Sequence, residues 1–321
     1  MNNVTSVEQL HVPVMLDRCL DLLSPGASRP GAVVIDATLG LGGHTEAMLR
    51  RFPDVRVIGF DRDSEALARS QARLAPFGDR VIYCHDTYDG IAENLERLDI
   101  PAVDGVLYDL GVSSMQLDFA ERGFAYSLDA PLDMRMSQAD ELTAAEIVNT
   151  YSVGDLTRIF AHYGEEKFAH RVALAITKLR EHSPIETTGE LAEIIKDAIP
   201  AAARRTGGHP AKRVFQALRI EVNAELSVLE NSLPQALSAL AVGGRVVVMS
   251  YQSLEDRIVK QIFTEATTTD IPVDLPFVPE GSEAKFKLVF KGSEKPSEAE
   301  LATNSRSQAA RLRAIERVRP A

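Results

Sequence analysis

Short apolar runs and longer helix-forming runs alternate over the first third of the chain. Between the apolar runs, residues 45–52 and 64–74 carry apolar side chains at helical spacing. Strands that alternate with helices predict a parallel sheet joined by right-handed crossovers. The runs with the length of buried strands are residues 32–36, 56–61, 81–85 and 103–109.

A fifth strand of the same character, residues 244–251 (GRVVVMSY), begins only after more than 130 further residues. A crossover normally needs roughly a few dozen residues at most, so an insertion separates the fourth strand from the fifth. The intervening pattern is helical, with capping boxes at residues 143–146 and 187–190 and helical spacing over residues 156–179. We therefore expect a helical insertion, residues 113–223, in an α/β domain formed by residues 1–112 and 224–321.

The C-terminal part of the α/β domain carries weaker signals. A capping box at residues 253–256 begins a helix that runs to about residue 266. Residues 285–291 alternate as a strand exposed on one side, which is typical of an antiparallel hairpin. The polar tail beyond residue 292 is predicted to be mobile as far as residues 309–318.

Composition places the chain among globular proteins of a reducing compartment. Of its 321 residues, 45% are hydrophobic and 25% are charged, which suits a buried core and excludes a disordered chain. Only Cys19 and Cys84 are present, so a disulfide scaffold is excluded. No apolar run is long enough to span a membrane, and the N-terminus lacks the apolar segment of a signal peptide. We expect a cytoplasmic protein.

The net charge of −11 conceals two basic segments. Residues 165–219 contain ten Lys/Arg against seven Asp/Glu, and residues 285–321 contain nine against four. Basic segments on an acidic chain are compatible with a polyanionic substrate, although solvated helix faces produce the same pattern.

A glycine-rich turn, DATLGLGGH (residues 36–44), joins the first strand to the following helix. Glycines at this place in a parallel sheet let the backbone approach a nucleotide, and the helix N-terminus offers free N–H groups. The dinucleotide fingerprint G-x-G-x-x-G is incomplete, because Thr45 occupies its third glycine position. The turn therefore favours S-adenosylmethionine over NAD.

Acidic residues end or follow the first four strands, at Asp36, Asp61, Asp86 and Asp109. Asp61 lies 21 residues after Gly40, where a carboxylate can accept hydrogen bonds from both ribose hydroxyls of an adenosine. Each Asp alone is equally explained as a turn cap, but four in one sheet favour a Rossmann-like methyltransferase.

Beyond residue 109 the sequence resembles a known family, and the matching segments follow one another in order over nearly the whole chain. On these segments the chain resembles the bacterial 16S rRNA cytosine-N4 methyltransferases of the MraW (RsmH) type. The segments are HVPVML (11–16), DATLGLGGH (36–44), DLGVSSMQLD (109–118), ERGF (121–124), PLDMRM (131–136), YGEEKF (163–168), HPAKRVFQALRIEVN (209–223) and SYQSLEDRIVK (250–260).

The resemblance implies a class I methyltransferase sheet with an inserted helical domain, and S-adenosylmethionine as the methyl donor. It also implies a target cytidine in the decoding region of 16S rRNA. The α/β domain would bind the cofactor and the insertion would recognise the substrate. Cofactor contacts carried over position by position fall on Gly42, Gly43, His44, Asp61, Tyr88, Asp109 and Gln116.

The sequence departs from the family pattern at three positions. Tyr88 stands where Phe is common and keeps an aromatic ring for the adenine. Met115 replaces a common Pro and loosens the backbone of its loop. Gln252 replaces a common His, so this position offers no titrating base.

Methyl transfer from a sulfonium is an in-line displacement, so the main task is to hold the acceptor nitrogen against the methyl group. N4 of cytosine is a poor nucleophile because its lone pair is delocalised into the ring, and groups that accept its hydrogens assist the reaction. Asp109 follows the fourth strand, and two roles stay open for it: orienting the cofactor or accepting from the amino group. The motif (D/N/S)-P-P-(Y/F/W) of DNA amino-methyltransferases is absent.

The helix at residues 211–223 has a polar stripe on one side, formed by Arg213, Gln216, Arg219 and Asn223. Its other side is apolar, with Val214, Phe215, Leu218 and Val222. We interpret this stripe as a face that contacts RNA, and an ordinary solvent-exposed face is the alternative. The basic loop that precedes the helix suits contacts with backbone phosphates. The candidate RNA-binding residues are Arg135, Arg204, Arg205, Lys212, Arg213, Gln216, Arg219 and Asn223.

Two further catalytic candidates are Asp133 and Asp118. Asp133 and Arg135 alternate with Met134 and Met136, and we expect the methionines to pack and the two charged side chains to line the cleft. Asp118 reads the cytosine amino group or only caps a turn. The seven histidines have no ligand spacing, so we expect no metal, and His209 is interpreted as a loop residue.

Two other functions stay open: a methyltransferase acting on DNA or protein, and a non-enzymatic RNA-binding ribosome-assembly factor. An NAD oxidoreductase is disfavoured by the broken fingerprint. The expected partner is 16S rRNA or the small ribosomal subunit, with no membrane partner, and a homodimer is left open.

Overall fold

The computed structural model describes residues 13–112, 120–204, 209–268 and 283–320. The chain divides into two compact units, residues 1–111 with 228–321 and residues 112–227. Sequence patterning placed these boundaries after residues 112 and 223. The proposed roles of the two units in cofactor binding and substrate recognition stay predictions.

Strands and helices are numbered in chain order over the residues that the structure describes. The strands are β1 Val33–Asp36, β2 Arg56–Asp61, β3 Val81–His85, β4 Val103–Asp109, β5 Leu240–Ser250, β6 Phe286–Leu288 and β7 Arg311–Arg317. The helices are α1 Leu16–Ala27, α2 Gly43–Arg51, α3 Ser64–Leu74, α4 Ile91–Arg97, α5 Ala144–Thr150, α6 Val153–His162, α7 Ala169–Arg180, α8 Thr188–Ala198, α9 Ala201–Arg204, α10 Lys212–Asn223, α11 Glu225–Ala239, α12 Ser253–Thr267 and α13 Glu298–Thr303.

The first unit is built on a sheet of strand order β3-β2-β1-β4-β5-β7-β6. Strands β1 to β5 pair in parallel, whereas β7 runs antiparallel to both β5 and β6. The order reverses between β1 and β4, and open α/β sheets bind ligands at the carboxyl ends of the strands at such a switch point. This topology confirms the predicted Rossmann-like class I methyltransferase sheet.

The central strands are nearly continuous apolar runs because both faces of the sheet are covered. Val34 and Val57 belong to a core cluster with α1 and α2 residues on one face. Ile35 and Ile58 belong to the cluster on the opposite face, as the alternation of side chains along a strand requires.

The second unit is helical and has its own core, to which α6 contributes Leu156 and Phe160, α7 Val172 and α10 Leu218. The helical insertion is thus confirmed. Helix α8 begins with the predicted capping box, in which the Thr187 side chain and its partner Glu190 exchange hydrogen bonds with the backbone.

Two predictions about the C-terminal part of the chain were wrong. Helix α12 is capped by Gln252 with Glu255, one position earlier than the predicted box. The tail beyond residue 292 is not a mobile segment, because Glu294 forms a bidentate pair with Arg18 and Glu300 accepts a hydrogen bond from the backbone N–H of Met15. These contacts join the tail to the start of α1, and β7 then completes the sheet.

In the parts of the chain that the structure describes, the helices are too short or too polar to cross a lipid bilayer.

Candidate functional site

The glycine turn that joins β1 to α2 uses its glycines for two different reasons. Gly40 has a φ of 51° and Gly42 a φ of 75°, which side chains rarely adopt. A Cβ on Gly40 would find its nearest neighbour 3.9 Å away, so this stretch of backbone faces open space. A Cβ on Gly43 would lie 2.6 Å from Cγ of Pro13, so Gly43 is required for packing.

The Asp61 carboxylate, at the end of β2, is tied to this turn. Its Oδ2 accepts a hydrogen bond from the Gly40 N–H at 2.8 Å, and its Oδ1 accepts one from the Asp63 N–H at 2.9 Å. Burial raises the pKa of Asp61 to about 6, although both backbone donors act in the opposite direction. Asp61 therefore ionises close to neutral pH, and it is hydrogen-bonded to Gly40, the position of the turn where a Cβ would meet open space.

Asp36, at the end of β1, is only 1% exposed and forms hydrogen bonds inside the glycine turn. Its carboxylate accepts from the Thr45 hydroxyl at 2.6 Å and from the Thr38 N–H at 3.3 Å. Burial raises the pKa of Asp36, and these hydrogen bonds oppose that shift. The first strand-end carboxylate thus fixes the shape of the turn.

Asp109, at the end of β4, is held at both its backbone and its side chain. Its N–H donates to Oγ1 of Thr38 at 2.7 Å, and its Oδ1 accepts from the Tyr251 hydroxyl at 2.6 Å. Oδ2 lies 3.8 Å from Nδ1 of His44, beyond hydrogen-bond distance, and 27% of the side chain is exposed. Burial raises the pKa of Asp109, against the opposing effects of His44 and Tyr251.

The buried His44 ring presents a defined edge to Asp109. Its Nε2 lies 3.1 Å from the carbonyl oxygen of Val14, which can only accept, so Nε2 carries a hydrogen and Nδ1 faces the carboxylate. The cofactor contacts predicted for His44, Gly42 and Gly43 stay predictions.

Tyr88 follows β3 and is held by a buried network. Its ring meets that of Tyr108 edge-on with centroids 5.5 Å apart. Tyr108 and Ser232 share a 2.6 Å hydrogen bond between their hydroxyl oxygens, and the Ser232 hydroxyl also donates to the Tyr88 carbonyl. Both the ring of Tyr88, which is proposed to contact the adenine, and the backbone that carries it are therefore held by neighbouring side chains.

The acidic groups of this site fit a cationic cofactor. Three carboxylates, Asp36, Asp61 and Asp109, lie at the carboxyl ends of neighbouring strands around an open glycine turn. Asp61 and Asp109 suit the ribose hydroxyls and the sulfonium charge of S-adenosylmethionine, whereas the pyrophosphate of NAD would meet negative charge there.

In the second unit, the polar stripe of α10 contacts the protein's own backbone. Arg213 donates to the Glu165 carbonyl at 2.8 Å and Gln216 to the Tyr163 carbonyl at 3.0 Å. Lys212 and Arg213 are exposed at the start of the helix. Arg219 is paired with Glu225 in a bidentate ion pair of the same unit.

Asn223, at the end of the same stripe, is fully buried. Its Oδ1 accepts from the Met136 N–H at 2.7 Å, and its Nδ2 donates to the Met134 carbonyl at 2.8 Å. The side chain thus holds the segment that contains Met134, whose φ is 63°. The RNA contact predicted for Asn223 has no support in this placement, because burial removes the side chain from solvent.

Asp133 and Arg135, two residues of that segment, form a bidentate ion pair. Burial alone would raise the pKa of Asp133, but its hydrogen bonds with Arg135 outweigh that effect and lower it.

Arg204 donates to the Ile199 carbonyl at 2.7 Å. Gln116, Asp118 and Arg205, as well as Met115, lie outside the described residues, so their proposed roles stay predictions.

Three side chains that hold Asp109, directly or through Tyr251, were not singled out from the sequence: Thr38, Tyr251 and Glu255. The signal that indicates Tyr251 is its place at the end of β5, since Met249 lies opposite Asp109 in the parallel register of β4 and β5. Thr38 lies in the glycine turn itself, where a hydroxyl two residues after a strand end is a common turn partner.

The strand order, the glycine turn and the three strand-end carboxylates together define a class I methyltransferase fold. Residues 8–318 match the MraW methylase family, and the chain belongs to that family.

Curated relatives match the chain over nearly its full length. It is 57% identical over 309 residues to ribosomal RNA small subunit methyltransferase H of Streptomyces avermitilis, covering 96% of this chain and 97% of that protein. It is 58% identical to the protein of the same name from Thermobifida fusca, covering 96% and 94%.

Solved structures match it at low identity. An rRNA methylase from Streptococcus thermophilus aligns with a TM-score of 0.43 and 12% identity, over 96% of this chain and 99% of that one. A putative methyltransferase from Streptococcus mutans in complex with SAH aligns with a TM-score of 0.45 and 12% identity, over 96% and 100%.

Proposed function

We propose that this methylase transfers a methyl group from S-adenosylmethionine to N4 of a cytidine in the decoding region of 16S rRNA. The observation that carries the proposal is the partly exposed Asp109 carboxylate at the switch point of the sheet, in which Tyr251 engages Oδ1 and Oδ2 lies 3.8 Å from Nδ1 of His44. The family and the names of relatives more than half identical to this chain support rRNA as the substrate class.

The residues of the first unit have distinct tasks toward the cofactor. Asp61 accepts hydrogen bonds from the ribose hydroxyls, the open backbone at Gly40 lets the cofactor approach, and Tyr88 contacts the adenine. The bound cofactor supplies an electrophilic methyl group on a sulfonium. When ionised, the carboxylates of Asp61 and Asp109 accept stronger hydrogen bonds and attract the sulfonium charge, so they should bind the cofactor best above the pKa of each group.

Asp109 also acts on the acceptor base. Its Oδ2 accepts a hydrogen bond from the cytosine amino group, which favours a pyramidal nitrogen and stabilises the positive charge that develops there. The N4–methyl bond forms as the methyl–sulfur bond breaks with its electron pair going to sulfur. The proton that N4 carries in excess after the transfer would go to solvent water, because the methylated, positively charged nitrogen is acidic and needs no strong base. The target base has to leave its stack before it reaches the carboxylate.

Nucleoside mass spectrometry of small-subunit rRNA tests this function. RNA from cells that lack the gene should lose N4-methylcytidine, and complementation with the wild-type gene should restore it. Complementation with Asp109→Ala should not. A gene-dependent methyl group on C5 or on ribose would contradict the proposed target atom. An amount of N4-methylcytidine that does not depend on the gene would contradict the proposal and favour the assembly-factor alternative.

We further propose that the basic start of α10 and the loop before it contact RNA phosphates, and that the protein acts on 16S rRNA or the small ribosomal subunit in the cytoplasm. Arg204 and Arg213 each use one guanidinium N–H for a backbone carbonyl. A guanidinium has five N–H donors, so these arginines still have donors for a phosphate.

Replacing Arg204, Arg205 and Arg213 together with Gln should weaken RNA binding and flatten its salt dependence. The slope of log affinity against log salt should fall by about 0.7 for each single-strand phosphate that the variant no longer neutralises. Binding isotherms at several salt concentrations measure this slope. Arg171→Gln with Lys178→Gln, two exposed cations of α7, is the control and should leave the slope nearly unchanged. An unchanged slope in the triple variant would exclude these residues as phosphate contacts.

A further inference from the structure

The turn from β5 into α12 is held by a buried carboxylate. Glu255 is 3% exposed and lies in the first turn of α12. Its Oε2 accepts from the backbone N–H of Tyr251 at 2.9 Å and from that of Gln252 at 3.2 Å. The backbone that carries the Tyr251 ring is therefore fixed by the helix that follows it.

From this turn, the Tyr251 side chain reaches the neighbouring strand. Its hydroxyl donates to Oδ1 of Asp109 at 2.6 Å, a short distance typical of a hydrogen bond to an ionised acceptor. Burial raises the pKa of Tyr251, and the nearby Asp109 charge raises it further. The hydroxyl consequently stays protonated at neutral pH, so the direction of this hydrogen bond does not change.

The hydrogen bond makes the two oxygens of Asp109 unequal. Oδ1 is engaged by Tyr251, whereas Oδ2 has Nδ1 of His44 at 3.8 Å. The backbone of Asp109 is separately held by Thr38. Rotation of the carboxylate would break the bond to Tyr251, so this bond determines where Oδ2 points.

We propose that Tyr251 is a positioning residue for methyl transfer, whose hydroxyl fixes the Asp109 carboxylate so that Oδ2 is presented to the amino group of the target base. This inference rests on the proposed function, because it requires Asp109 to accept from that amino group. Tyr251 acts through Asp109 and does not itself touch the reacting atoms.

Removal of the hydroxyl has two physical consequences. The Asp109 carboxylate gains rotational freedom, including rotation toward His44, and its ionised form loses a stabilising donor. Its pKa should therefore rise further, so that a higher pH is needed to ionise it. A packing defect in the same place would lower stability but would not change the pH dependence of turnover.

The test is Tyr251→Phe, which keeps the ring and removes only the hydroxyl. We expect kcat for small-subunit RNA to fall roughly 10- to 100-fold, as the loss of a hydrogen bond to a charged group predicts. The acid limb of the kcat–pH profile should move to higher pH. At a pH above this limb, where Asp109 is ionised in both proteins, the Kd for S-adenosylmethionine should stay within about threefold of the wild-type value. Tyr83→Phe removes a hydroxyl from β3 of the same sheet and should change none of these quantities.

A double-mutant cycle with Asp109→Asn tests whether Tyr251 acts through Asp109. If it does, Tyr251→Phe should reduce kcat much less in the Asp109→Asn background than in the wild type. Additive losses, an unchanged kcat in the single variant, or a loss confined to the cofactor Kd would each overturn the positioning role. Wild-type protein that forms no N4-methylcytidine would instead refute the proposed function, so the two failures are distinguishable. Thermal unfolding and the cofactor Kd show whether Tyr251→Phe is folded. If it is not, Tyr251→His is compared with Tyr251→Leu, because only the His ring offers an N–H in place of the hydroxyl. Tyr251→His should retain the higher kcat, and equal kcat values for these two variants would overturn the positioning role.

Discussion

Asp109→Ala is expected to reduce kcat by about 100- to 1000-fold, the usual effect of removing one group that stabilises charge in a transition state. The side chain meets Tyr251 and lies close to His44, and 27% of it remains exposed. Its removal takes away the acceptor for the amino group but no large apolar contact. Single-turnover methylation of small-subunit RNA with saturating S-adenosylmethionine measures the effect, and thermal unfolding should show little loss of stability.

Asp109→Asn separates the two roles of this residue. Its carbonyl oxygen can still accept a hydrogen bond, so partial activity is expected if Asp109 binds the amino group. If the charge of Asp109 balances the sulfonium, Asn should be nearly as inactive as Ala, and the cofactor affinity should fall as well. Wild-type turnover in both variants would exclude Asp109 from the reaction.

Asp61→Ala is expected to weaken S-adenosylmethionine binding roughly 10- to 100-fold, because a hydrogen bond to a charged group is lost. Titration calorimetry of the wild type and the variant measures the change. NAD should bind neither protein detectably. Asp54→Ala, which removes an exposed carboxylate in the segment before β2, is the control and should leave the affinity nearly unchanged. Tighter binding of NAD than of S-adenosylmethionine by the wild type would contradict the cofactor assignment.

The raised pKa of Asp61 adds a pH dependence to cofactor binding. The carboxylate, with a pKa of about 6, is protonated below that pH and ionised above it. Cofactor affinity should therefore rise with pH through this region and level off above about pH 7, and binding near pH 6 should release protons. The slope should be absent in Asp61→Asn. Without cofactor, the same raised pKa makes the protein less stable as pH rises. The folded state binds the Asp61 proton more tightly than the unfolded state does, so the free energy of unfolding falls as pH rises from 3.8 to about 6.

Local sequence patterns were sufficient to predict the strands and the acidic residues at their ends. The bounds of β2, β3 and β4 agree with the apolar runs, because buried parallel strands must be apolar on both faces. The glycine turn was predicted from the same kind of local signal. The hydrogen bond between Gly40 and Asp61 follows from parallel pairing, which brings neighbouring strand ends to one edge of the sheet.

Helical periodicity predicted which residues of α10 share a face, but not what that face contacts. Gln216 and Asn223 have the spacing of a solvent-exposed stripe, yet both are bonded to backbone carbonyls of other segments. Periodicity describes one helix at a time, and whether water or a neighbouring backbone meets a polar face depends on packing between distant segments.

The sequence by itself determined the class of fold, the cofactor turn and the family resemblance, since each depends on residues close together in the chain. Tertiary structure alone decided that Tyr251 holds Asp109, because 142 residues separate them and only the register of β4 and β5 brings them together. It also decided that the polar C-terminal tail is ordered, because Glu294 finds its partner Arg18 at the opposite end of the chain. Composition and periodicity report local preference, whereas these contacts become favourable only when the whole sheet has formed.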